Sequence, residues 1–200
     1  MASSKALPFL NSAVAAFPAS VQTMAESAAE ALAARVDDRY DFTRGPLSVV
    51  VLGRPVLIPS RIHFVGLKRA WPQLQGKLSP ATRCLCTRST DGYVRQAALR
   101  SILGINEPWA VPFVVLLAGE YVVEIVVDMV AYLPSLERRI YAEFALENRH
   151  LMGLLQARAV GYWDCYYCHS YPDRKVFPGL VFLHQLETWA NDIDSRCCGG

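Results

Sequence analysis

The chain has 200 residues, a mass of 22.2 kDa and a formal net charge of +2, with 52% apolar and 19% charged residues. That composition excludes an intrinsically disordered chain, and the small net charge disfavours a polybasic nucleic-acid binder. A chain this long buries a sizeable core and needs neither disulfides nor a metal to fold, so one domain over 1–200 is expected.

In chain order, residues 1–45 read as N-terminal helices. Residues 2–16 form one, and the Ala-rich 20–35 form a second, with Ser20 as N-cap. Pro8, Asn11 and Ser12 interrupt the apolar stretch Ala6–Phe17, which reads as an amphipathic helix rather than a signal peptide. A polar connection from Asp37 to Pro46 follows. Residues 46–78 hold a hairpin and a connection. Val49–Leu52 and Pro55–Ile58 flank Gly53-Arg54, with Gly53 at the first position of a two-residue type II′ turn, and Arg61–Phe64 extends the ribbon.

Residues 79–191 read as a helical array. Ser79 and Pro80 mark an N-cap and a first helical position. Asp91 caps the next helix, which Gly104 ends. Trp109–Ala118 and Glu120–Leu133 follow, then a helix opened by Ser135, another over Arg149–Tyr167, a loop over Ser170–Pro178 and a last helix over Gly179–Asn191. Residues 192–200 form a frayed tail. The window Val111–Leu133 is long enough to span a bilayer. Glu120, Glu124 and Asp128 oppose that, each costing about 2.5–3.5 kcal/mol near a bilayer centre. No membrane association is expected.

Charge is divided unevenly. Residues 1–100 carry 13 Lys/Arg and 6 Asp/Glu, and residues 101–200 carry 7 and 12. Either the halves pair their charges or the asymmetry marks an interaction surface. The six cysteines, Cys84, Cys86, Cys165, Cys168, Cys197 and Cys198, form no disulfide framework in a chain this long, which suits the reducing cytoplasm.

The segment Asp91–Arg100, with its Val94-Arg95 pair and Ala97-Ala98-Leu99, resembles the HEAT-type helical repeat. Pro112–Leu117 looks like the second helix of a pair, and Tyr121–Ile125 like the start of another. The resemblance covers about residues 79–160. It implies a mainly α fold of HEAT-like stacked helical pairs, here with a small β-hairpin near 47–64, whose relatives mostly bind proteins. In general style the chain is also similar to the small immunity proteins that bacteria keep beside secreted toxins.

Several constellations carry possible chemistry. Cys165-Tyr166-Tyr167-Cys168-His169 has the C-x-x-C-H pattern of c-type haem attachment, in which thiols add to the vinyl groups and His ligates iron. Buried structural cysteines within an aromatic cluster are the plainer reading. Zinc shared with Cys84 and Cys86 has unfavourable spacing. Glu143, Glu147 and His150 read as a solvated helix face rather than a di-metal site. Glu120, Glu124 and Asp128 share one stripe at spacing four, where like charges repel by a few tenths of a kcal/mol. Internal arginines (Arg95, Arg100, Arg138 or Arg139) or a basic partner can offset that. No G-x-S-x-G elbow, phosphate loop, dinucleotide fingerprint or H-E-x-x-H is present.

The expectation is a cytoplasmic, non-enzymatic protein-binding module without a cofactor, in the manner of an immunity protein that occludes a nuclease-type toxin. Its contact residues would be Glu120, Glu124, Asp128, Tyr121, Tyr132 and Trp109, meeting protein and no nucleic acid directly. Homo-oligomerisation stays open. The alternative is a haem- or metal-binding protein using Cys165, Cys168 and His169.

Overall fold

Pro55 sets the turn of the hairpin. In the computed structural model, which describes residues 7–37, 39 and 45–197, β1 (Leu47–Val51) pairs antiparallel with β2 (Arg54–Ile58). Val51 lies opposite Arg54, so the turn residues are Leu52 and Gly53, with φ of 53° and 72°. Two positive φ values make this a type I′ turn, one residue earlier than the expected type II′ turn at Gly53-Arg54. A turn at Gly53-Arg54 would place Pro55 where an N–H must donate across the ladder, and proline has none. The observed register puts Pro55 opposite Val50, where no such donor is needed. Arg61–Phe64 does not extend the ribbon. Ile62 bridges Ser89, and Phe64 bridges Val36.

The protein is mainly helical, with this single small hairpin among the described residues. It divides into two compact units, residues 1–102 and 103–200. The boundary coincides with the charge asymmetry: the first unit holds 13 Lys/Arg against 6 Asp/Glu, the second 7 against 12.

In the first unit α1 (Leu7–Val14) packs on α2 (Gln22–Ala33). Ala25, Ala28, Ala29 and Leu32 form the buried stripe of α2, and their small size lets neighbouring backbones approach. Ser20 is not the cap of α2. It lies inside a 3₁₀ turn, Ala19–Val21, behind the extended Pro18, and α2 starts without a side-chain cap. Between the hairpin and residue 79 the chain forms a helix that its sequence hid, α3 (Leu67–Leu74), with Leu67 and Trp71 buried and Pro72 inside it. The helix α4 (Pro80–Cys86) packs on α2 and on α5 (Gly92–Ile102). Ser79 Oγ accepts from Thr82 N at 3.2 Å, and Asp91 Oδ1 accepts from Tyr93 N and Val94 N at 2.9 and 3.2 Å. Both expected caps are in place. Gly104 is not a left-handed cap, because its φ is not positive.

The second unit is organised around α10 (Pro178–Cys197), which packs on α7 (Val123–Tyr132), α8 (Arg138–Glu147) and α9 (Arg149–Tyr162), while the short α6 (Val111–Val115) packs on α8. Phe182, Leu183, Leu186 and Ala190 form the buried face of α10. Its start rests directly on the preceding chain: a Cβ at Gly179 would lie 3.0 Å from the Ala118 carbonyl oxygen. Glu137, not Ser135, caps α8 by accepting from Ile140 N at 2.9 Å, because Ser135 is taken up by a 3₁₀ turn, Leu133–Ser135. The expected frayed tail is helical as far as Cys197, and Cys198 lies outside the described residues, as does most of the Asp37–Pro46 connection. Among the described residues no helix is long and apolar enough to cross a membrane.

Candidate functional site

The expected helix over Glu120–Leu133 starts three residues late, and this separates the three acids. Glu120 lies in a turn, its N–H donating to Leu117 O at 3.2 Å, and Val122 is extended before α7 begins. A Cβ at Gly119 would meet Leu155 Cδ2 at 3.0 Å, so this turn packs tightly against α9. Glu120 is 3% exposed and Trp109 is 8% exposed. Neither side chain is presented to a partner. Glu124 is exposed in the first turn of α7, where the helix dipole favours a carboxylate. Asp128 is half-buried one turn later, and Tyr132 is exposed one turn beyond that. The i, i+4, i+8 spacing places Glu124, Asp128 and Tyr132 on one helical face, with exposed Val127 beside them. Arg138 pairs with Asp192, and Arg139 with Glu143.

Tyr121 joins this face to an aromatic row. The end of α9 loosens into a five-residue π-helical turn, Trp163–Tyr167. Such turns are rare and add a residue that re-aims side chains. Tyr121 and Tyr162 have ring centroids 6.0 Å apart, Tyr162 and Tyr166 stack at 6.4 Å, and Tyr166 meets Tyr167 at 6.3 Å. Tyr167 then stacks on the buried Phe177 at 5.6 Å. Two hydrogen bonds hold the turn: Tyr167 Oη donates to Tyr121 O at 2.6 Å, and Trp163 Nε1 donates to Tyr171 O at 2.8 Å. The row is anchored at one end and open at the other, with Tyr121 50% and Tyr166 67% exposed.

The C-x-x-C-H segment occupies the same turn. Cys165 and His169 are exposed and Cys168 is half-buried, and both thiols are free. They are therefore not the buried core cysteines expected of this segment. Among the described residues no group of three His, Cys, Asp or Glu side chains converges as a metal site requires. Cys84 and Cys86 are the buried pair, within α4, and burial raises both thiols, that of Cys86 to about 12. Thiols held protonated are poor nucleophiles and poor metal ligands.

The chain matches no family model, no curated protein and no solved structure.

Proposed function

We propose that this chain is a non-enzymatic protein-binding module of the immunity-protein kind, covering a basic cleft such as that of a nuclease toxin. The observation that carries the reading is the open tyrosine row Tyr121–Tyr162–Tyr166 continued by Glu124, Asp128 and Tyr132 on α7. Tyrosines give rigid contact area with a polar tip, and arginines and lysines of a partner can stack on their rings or pair with the carboxylates. Complementary charge would speed association. Within residues 79–160, α4 packs on the helix that follows it, α5, as paired helices do in HEAT-like scaffolds. Relative to the sequence expectation, the contact set loses Trp109 and Glu120 to the interior and gains Tyr162 and Tyr166. The test is to capture the partner from the native cell, purify it, and compare its binding to the wild type and to Tyr166→Ala and Glu124→Gln variants. Weaker binding with unchanged melting supports the reading. Unchanged binding by both variants contradicts it.

A further inference from the structure

We propose that a cleft at the start of α10 binds a small amphipathic anion, a carboxylate or phosphate head on a short apolar body. The cleft has a volume of about 620 Å³, within the range of about 300–1,000 Å³ typical of small-molecule sites. Arg174 and Lys175 line it from a 3₁₀ turn, Arg174–Val176, and His184 from the second turn of α10. Leu180 and Val181 supply the apolar part of the wall, and Gln156 and Gln185 supply amides.

The charge pattern points to an anion. This unit carries 12 acidic and only 7 basic residues. Arg138, Arg139 and Arg149 are each spent on a carboxylate, Asp192, Glu143 and Asp194 respectively. Arg174 and Lys175, adjacent in sequence and facing one cleft, have no ion-pair partner among the described residues. The nearest acid in sequence, Asp173, is turned to the backbone: its Oδ1 accepts from Lys175 N at 2.9 Å and caps the 3₁₀ turn. Phe177, fully buried between Tyr167 and Tyr171, fixes the turn to the core. A guanidinium and an ammonium select a charged oxygen head, and Leu180 and Val181 reward an apolar group attached to it.

The test is titration calorimetry on the full chain with phenyl phosphate and benzoate, beside inorganic phosphate for the head alone and benzyl alcohol for the body alone. One-to-one saturation by phenyl phosphate or benzoate is expected, with a Kd below about 1 mM and roughly tenfold or more below that of either half-probe. The Arg174→Ala/Lys175→Ala variant should bind roughly tenfold more weakly or not at all, and Arg149→Ala should bind as the wild type does. Amide shift changes at Val181 and Gln185 on adding phenyl phosphate locate the site in unaltered protein. Failure of both phenyl phosphate and benzoate to saturate overturns the proposal. So does inorganic phosphate binding as tightly as phenyl phosphate, or wild-type affinity in the double variant.

Discussion

Tyr167 donates its phenolic hydrogen to the carbonyl oxygen of Tyr121 across 2.6 Å, tying the π-helical turn after α9 to the residues that lead into α7. That bond joins the two halves of the candidate face, the tyrosine row and the acidic helix. Tyr167→Phe keeps the stack on Phe177 and removes only the donor. It should lower stability by about 1 kcal/mol, read as a shift of the urea midpoint at unchanged slope. It should also broaden the amide resonances of Tyr121 and Val122. A variant equal to the wild type in both measurements would show that the bond does not organise the face.

The hairpin gives a two-sided prediction. Gly53 has φ of 72°, so Gly53→Val should destabilise the protein by more than about 1 kcal/mol. Leu52, at φ of 53°, is a bulky residue in the left-handed region. Leu52→Asn suits a type I′ turn and should raise stability by a few tenths to about 1 kcal/mol. The two denaturation midpoints should move in opposite directions. A stabilising Gly53→Val would refute the assigned turn.

The thiols should separate by reactivity. Brief alkylation of native protein, followed by mass spectrometry of its peptides, should label Cys165 and leave Cys84 and Cys86 unlabelled until denaturant is added. Burial raises the Cys86 thiol from its ordinary 9.0 to about 12. A group whose pKa is higher in the folded state contributes stability that is fully present below its unfolded pKa. That stability is lost as pH rises toward the folded value. Wild-type stability should therefore fall between about pH 9 and 12, by about 1.4 kcal/mol per pH unit for this thiol, and fall less steeply in Cys86→Ala. Parallel curves for the two proteins would contradict the burial argument.

Glu120 and Glu124 should behave differently from each other. Glu120 is buried and has interactions inside the protein, so Glu120→Gln should cost about 1–3 kcal/mol. Glu124 is exposed on the surface of α7, where substitutions change stability by no more than about 0.5 kcal/mol. Glu124→Gln should therefore stay within about 0.5 kcal/mol of the wild type. Thermal melts of the two variants decide it, and equal losses would place both carboxylates in the interior.

Much of the fold was legible because some signals are local. Ser79 and Asp91 cap helices through their own side chains, and the apolar runs of α5, α7 and α10 fixed a mainly α protein with one hairpin. The misplaced features depend on distant groups or on chemistry that residue types leave ambiguous. Ser20 and Ser135 have the right type for caps but lie inside 3₁₀ turns beside prolines. The stretch holding α3 read as a connection, although burial of Leu67 and Trp71 holds it helical with Pro72 inside it. At the site, spacing four put Glu120 on the stripe. The extended Val122 broke that periodicity, and no pattern in the sequence announces it. The aromatic cluster around Tyr162–Tyr167 was visible, but the π-helical turn that opens one end of it to the surface has no sequence signature.

The most direct measurement of the proposed role is the affinity of the purified partner for Tyr166→Ala beside the wild type, at low and moderate salt, with a melt of each protein. Tyr166 is the most exposed ring of the row, and its removal leaves the anchored Tyr167–Phe177 stack in place. The account predicts an unchanged melt and binding weakened by about 1–2 kcal/mol or more, roughly tenfold or greater. In Glu124→Gln it predicts slower association with a shallower salt dependence. Wild-type affinity and salt dependence in both variants would contradict it and place the interaction surface elsewhere on the protein.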